Sequence, residues 1–163
     1  MKTVDESLLN GDWYVNRGFN PLYDCYDCQV LTFNVKDGKI DYRALFNMIA
    51  VNQTEIWVTA NMVGEDKSTP GILQMDGEEN GLPDHQSWYM MYLDSETLIS
   101  YYCGSVLSWH FEGLLIMSKT MTLNPDREAD IKRIMAELQI TDDQICKLNP
   151  ASGCQAKPTL FTQ

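Results

Sequence analysis

Two short clusters in this 163-residue chain combine residue types that could do chemistry. The first is Cys25-Tyr26-Asp27-Cys28-Gln29, a pair of thiols at redox-motif spacing with a carboxylate between them. A Cys-x-x-Cys of the thioredoxin kind opens a helix inside a βαβ unit, whereas this one stands at the head of a predicted strand, so redox catalysis is disfavoured. Structural bridges are the simpler use: Cys28 with Cys154, and Cys25 with Cys146 or Cys103, would tie the first turn to the C-terminal region. The five cysteines are an odd number, so at least one thiol stays unpaired within the chain. Bridges of this kind place the protein in an oxidising compartment. The second cluster is His85-Gln86-Ser87-Trp88. His85 reads as a solvated loop side chain, and His110, between Trp109 and Phe111, as a boundary residue. With two histidines and one close cysteine pair, a four-ligand zinc site would need scattered residues, and no metal is expected.

Composition narrows the classes of function. The chain is 44% hydrophobic, which suits a single domain with a real core. Twelve Lys and Arg stand against 23 Asp and Glu, a net charge of -11, so the surface repels phosphate backbones and nucleic acid is excluded as a partner. No apolar run approaches the roughly 20 residues of a membrane-crossing helix. The segment Met1-Lys2-Thr3-Val4-Asp5 lacks the apolar stretch of a signal peptide, so any targeting segment is expected to lie outside this sequence.

The elements that must position these residues are mostly strands. Periodicity and turn residues predict strands at 13–17, 26–35, 40–50, 55–63, 87–93, 97–103 and 111–119, with a short extended piece at 72–75. Asp37-Gly38 supplies the positive φ angles of a type I′ hairpin between the second and third strands. The stretches 64–71 and 76–84, rich in Gly, acid and Asn, read as polar loops. Asn124-Pro125-Asp126 then caps a helix whose Ile131, Ile134, Met135 and Leu138 recur at helical spacing. The expectation is one all-β domain over 1–163: an eight-stranded antiparallel barrel at about 11–119, one helix at about 125–139 packed outside it, and an irregular tail at 149–163.

Large side chains occupy both faces of these strands. Tyr42, Ala44, Phe46 and Met48 share one face of the third strand; Trp88, Met90 and Tyr92 oppose Tyr89, Met91 and Leu93 on the sixth. One set can line an interior that accepts an adaptable apolar ligand, with Phe46 among the lining residues, while the other meets the helix or a neighbour. A barrel filled by its own side chains gives the same pattern.

Several of these residues together resemble a known family. Gly11-Asp12-Trp13-Tyr14, Asn20-Pro21-Leu22-Tyr23-Asp24-Cys25-Tyr26-Asp27-Cys28-Gln29, Pro70-Gly71-Ile72-Leu73, Trp88-Tyr89, Tyr101-Tyr102 and the late Cys154 are similar, in order and spacing, to the lipocalin domain of the violaxanthin de-epoxidases. The resemblance runs from Gly11 to Cys154 and implies a barrel that holds a long xanthophyll in the thylakoid lumen of a plastid. It implies further that Asp27 and Gln29 are polar groups at one end of the cavity, that Trp88 is an aromatic wall residue, and that Tyr102 lies near the ligand. The chain departs from the family at two positions. The family's catalytic carboxylate falls on Gln86, and a tyrosine of its last strand falls on Met117.

Opening and reducing an epoxide needs an acid for the departing oxygen, and neither an amide nor a thioether exchanges protons near neutral pH. The sequence therefore favours a carotenoid-binding protein with no covalent cofactor, whose Gln29, Phe46, Gln86, Trp88, Tyr102 and Met117 contact the pigment. An enzyme that converts an epoxy-xanthophyll is the alternative, with Asp27 as its acid or base if burial raises its pKa. Ascorbate is required only if the reductive route persists. A third class is an interaction subunit, its outer aromatic face docked to a thylakoid membrane surface or to a photosystem or antenna protein.

Overall fold

The computed structural model describes residues 5–26, 28–37, 39–50, 54–65, 71–79, 82–148 and 150, with the side chains of 46–50, 54–65, 78, 79 and 82 outside that description. Eight long strands run in chain order: β1 (Gly11–Gly18), β2 (Val30–Lys36), β3 (Lys39–Ala50), β4 (Thr54–Glu65), β5 (Ile72–Glu79), β6 (Leu82–Leu93), β7 (Thr97–Val106) and β8 (Trp109–Ser118). Each pairs antiparallel with the next, and β1 pairs with both β2 and β8. That double pairing closes the sheet into a ring and removes its edges. A two-residue strand, β9 (Cys146–Lys147), adds to the outer end of β1.

Alternation along the strands divides the apolar residues into two cores. Trp13, Val15, Leu31, Phe33, Tyr42, Met75, Trp88, Met90, Tyr102, Leu115 and Met117 face the barrel interior. Ile99, Leu114 and Ile116 face outward from β7 and β8 and meet Ile131, Ile134 and Met135 of helix α1 (Glu128–Glu137). Strands sandwiched between an interior and a helix need large side chains on both faces, which is why β7 and β8 lack polar alternation. Asn124 accepts from the Asp126 N–H and Pro125 sits where its missing N–H is harmless, capping a 3-10 turn, Pro125–Arg127, that leads into α1, while α1 itself starts at Glu128 with no side-chain cap. Arg17 of β1 reaches across to Glu128 with two hydrogen bonds, 2.7 and 3.3 Å.

Three local expectations are corrected. Residues 76–79 and 82–84, expected within a loop, are strand: β5 continues to Glu79 and β6 starts at Leu82, with Met75 opposite Gln86 and Asp76 opposite His85. Ladder pairing there overrides a composition that reads as turn. The second strand begins at Val30, not 26, because residues 21–24 form a turn and Cys28 takes a left-handed conformation, φ 60°. Finally, a bulge in β6 at Met91 shifts the register, so that Met90 opposes Ser100 but Tyr92 opposes Ile99. Trp88 and Met90 stay inside, Tyr92 turns to the helix side, and Leu93 packs inward.

Cys25 is bonded to Cys146, joining the 20–28 segment to β9 across 121 residues. Cys28 is also in a disulfide, and Cys103 is a free thiol. The expected partner of Cys28, Cys154, lies outside the described residues, as do Asp27, Gly38 of the hairpin turn and most of the tail.

Candidate functional site

The inner wall carries a continuous aromatic surface. Trp88 stacks on Tyr102 with ring centres 5.4 Å apart and planes at 21°, and touches Tyr42 at 5.2 Å and Phe33 edge-on at 6.1 Å. Phe111 extends the surface from Tyr102 towards Tyr23. Met75, Met90 and Met117 complete the wall with flexible, polarisable side chains. At the base Trp13 is fully buried, its indole N–H donating to the Leu9 carbonyl at 2.7 Å, with the Lys119 ammonium 4.1 Å from the ring centre.

Two buried carboxyl groups interrupt this wall. Asp24 belongs to the turn after β1. Its Oδ2 accepts from the backbone N–H groups of Asn20, Phe19 and Leu114 at 2.8, 3.3 and 3.2 Å, and its Oδ1 accepts from the Tyr102 hydroxyl at 2.5 Å. Two glycines make that pair fit. A Cβ on Gly113, directly opposite Tyr102 in the β7–β8 ladder, would collide with the phenol ring, and one on Gly18 would collide with Asp24 itself. Burial pushes the Asp24 carboxyl up to about 7, against the opposing pull of its four donors, and burial together with the adjacent Asp24 raises the Tyr102 phenol well above its ordinary value.

The second carboxyl is Asp84, fully buried on the inward face of β6 beside Gln86 and Trp88. The Trp88 indole N–H donates to the Gln86 amide oxygen at 2.7 Å, and the Gln86 amide nitrogen donates to Asp84 Oδ2 at 2.7 Å. Among the described residues Asp84 Oδ1 has no partner, and neither has the buried Oε1 of Gln29, whose Nε2 donates to the Tyr23 carbonyl at 3.0 Å.

Of the residues singled out in the sequence, Trp88, Tyr102, Gln86 and Met117 converge on the inner wall, and Gln29 lies buried beside the Asp24 turn. Phe46 lies in β3 opposite Val58, its side chain outside the description, and Asp27 is outside it altogether. Sequence reasoning missed Asp24 and Asp84. The signal for Asp24 was the Asn20-Pro21 turn start with a carboxylate four residues on; for Asp84 it was the two-residue spacing to Gln86 and Trp88, hidden by reading 76–84 as a loop.

An open cleft of about 1120 Å³ lies beside the 19–23 segment, lined by outward side chains such as Gln74, Asp76, His85 and Cys103 together with Gln86 and Phe111. His85 Nδ1 is 2.5 Å from Asp76 Oδ1 there. Among the described residues no group of three His, Cys, Asp or Glu side chains is placed to hold a metal ion.

A closed eight-stranded antiparallel barrel with its C-terminal helix packed outside defines a lipocalin-type fold. Solved structures agree: lobster apocrustacyanin A1 superposes with a TM-score of 0.69 at 15% identity, covering 93% of this chain and 82% of that one. The bovine lipocalin allergen Bos d 2 gives 0.65 at 12% identity, covering 93% and 99%. The particular family follows from sequence: the VDE lipocalin domain matches residues 1–149, and the chain belongs to that family. Violaxanthin de-epoxidase of Spinacia oleracea is 24% identical over 141 residues, 82% of this chain and 29% of the relative; that of Arabidopsis thaliana is 26% identical over 168 residues, 89% and 34%. The chain thus spans about a third of the length of these relatives.

Proposed function

We propose that the chain binds a xanthophyll in the barrel interior, in a plastid, as a member of the de-epoxidase family that departs from it at Gln86 and Met117. The supporting observation is the inward wall of Trp88, Tyr102, Tyr42 and Phe33 with Met75, Met90 and Met117, set beside a few buried polar groups. Long apolar ligands are held by aromatic and flexible sulfur-bearing walls, with a small number of polar groups fixing orientation. The similarity to chloroplastic violaxanthin de-epoxidases supports a plastid compartment and a xanthophyll as the pigment class. Incubating the protein with mixed plastid pigments, removing free pigment and extracting the remainder tests the reading. Recovery of an oxygenated carotenoid near one per chain is the expected result, and a colourless protein with an unchanged melting temperature would refute it.

One observation favours a second reading, conversion of an epoxy-xanthophyll: the interior holds carboxyl groups at Asp24 and Asp84 although Gln86 and Met117 cannot transfer protons. In that reading Asp27, matched by the family resemblance to a polar group at one end of the cavity, serves as the acid or base. Asp27→Asn then abolishes isomerised product, and unchanged turnover rules the assignment out.

A further inference from the structure

We propose that Asp84 is the recognition residue for an oxygen function at one end of the interior ligand, its Oδ1 being a buried inner-wall oxygen with no hydrogen-bond partner among the described residues; this rests on the pigment-binding reading.

Donor and acceptor chemistry fixes the direction of the β6 chain of contacts. An indole N–H can only donate, so the amide oxygen of Gln86 must face Trp88. The Gln86 amide nitrogen must then face Asp84, and it uses Oδ2. Oδ1 is left as the terminus, buried and without a partner among the described residues. The two interior carboxyls are therefore not equivalent. Asp24 has four donors distributed over both oxygens and is occupied by the fold itself. Asp84 has one donor, from a side chain two residues along its own strand. An unsatisfied buried polar atom is unfavourable, and a ligand oxygen placed against Oδ1 would remove that cost.

Burial raises the Asp84 carboxyl above its ordinary value, opposed by the Gln86 hydrogen bond and by His85. In its neutral form Oδ1 carries a hydrogen and donates to a hydroxyl, carbonyl or epoxide oxygen; a pure hydrocarbon offers it nothing. Asp84 thus selects oxygenated carotenoids over carotenes of the same chain length, while Trp88 and Tyr102 accept both.

The test compares zeaxanthin with β-carotene, which share the polyene and differ in terminal hydroxyls, on wild type, Asp84→Leu and the strand-compatible Asp84→Val. Quenching of tryptophan fluorescence reads the dissociation constants. Wild type is expected to prefer zeaxanthin by about tenfold or more, the size of one good buried hydrogen bond. Either variant should lose that preference and keep its affinity for β-carotene. An unchanged preference in the variants overturns the assignment, and so does a lowered melting temperature with the preference intact, which makes Asp84 a structural residue. Failure of wild type to bind either pigment refutes pigment binding itself, and the role of Asp84 falls with it.

Discussion

At the scale of single residues, Asp24 couples the fold to pH. Its carboxyl is pushed up to about 7 from 3.8 because burial outweighs the donors that favour the charged form. The folded state therefore holds a proton that the unfolded chain has released, so this residue's contribution is fully present below pH 3.8 and is lost as pH rises through about 7. Asp84 shifts in the same direction, whereas Asp94 and Glu128, held down by hydrogen bonds and cationic neighbours despite some burial, act only at lower pH. The protein should be more stable at pH 5 than at pH 8, by an amount on the order of a few kcal/mol at most. Asp24→Asn should flatten that dependence and destabilise the protein by about 1–3 kcal/mol through lost hydrogen bonds to the Phe19, Asn20 and Leu114 amides. Denaturant unfolding at the two pH values measures both effects. An unaltered pH dependence in Asp24→Asn would assign the proton elsewhere.

At the scale of elements, the ladders decide which side chains enter the barrel. Gly113 lies opposite Tyr102, and its missing side chain is the space the phenol occupies. Gly113→Ala should displace the ring from Asp24 and lower stability by about 1–3 kcal/mol, as other overpacked cores do. Thermal melting and the near-ultraviolet tyrosine and tryptophan signals check it; a wild-type melt and spectrum would show that the wall yields freely. These same ladders show what was legible in the sequence. The eight strands, the outside helix and the Asn124 cap of the turn leading into it were readable because periodicity and capping are local. The face of Tyr92 was not, because one bulge at Met91 reverses the alternation without any signal in the residue types. The continuation of β5 to Glu79 and the start of β6 at Leu82 were hidden by Asp, Gly, Glu and Pro residues that mimic a loop and are held extended by cross-strand pairing. Asp24 and Tyr102, 78 residues apart, meet only after the barrel closes.

At the scale of the whole molecule, the barrel joins a fold-occupied carboxyl, an aromatic wall and a second buried carboxyl, Asp84, inside a closed ring of strands. The Cys25–Cys146 bridge fastens the turn that carries Asp24 to the segment after the helix, so the turn, the helix and the barrel wall are held as a unit. The acidic net charge of -11 sets the surface apart from this interior and supports solubility, while the aromatic wall and the carboxyls of Asp24 and Asp84 lie inside. A carotenoid fixed against Trp88 and Tyr102 is held in a chiral, unsymmetrical site, and its visible absorption band then acquires circular dichroism that the free pigment lacks. Titrating zeaxanthin into the protein and following visible circular dichroism tests interior binding most directly: the account predicts a signal that saturates at one pigment per chain and falls sharply in Trp88→Ala, and a titration with no saturable dichroism would contradict it.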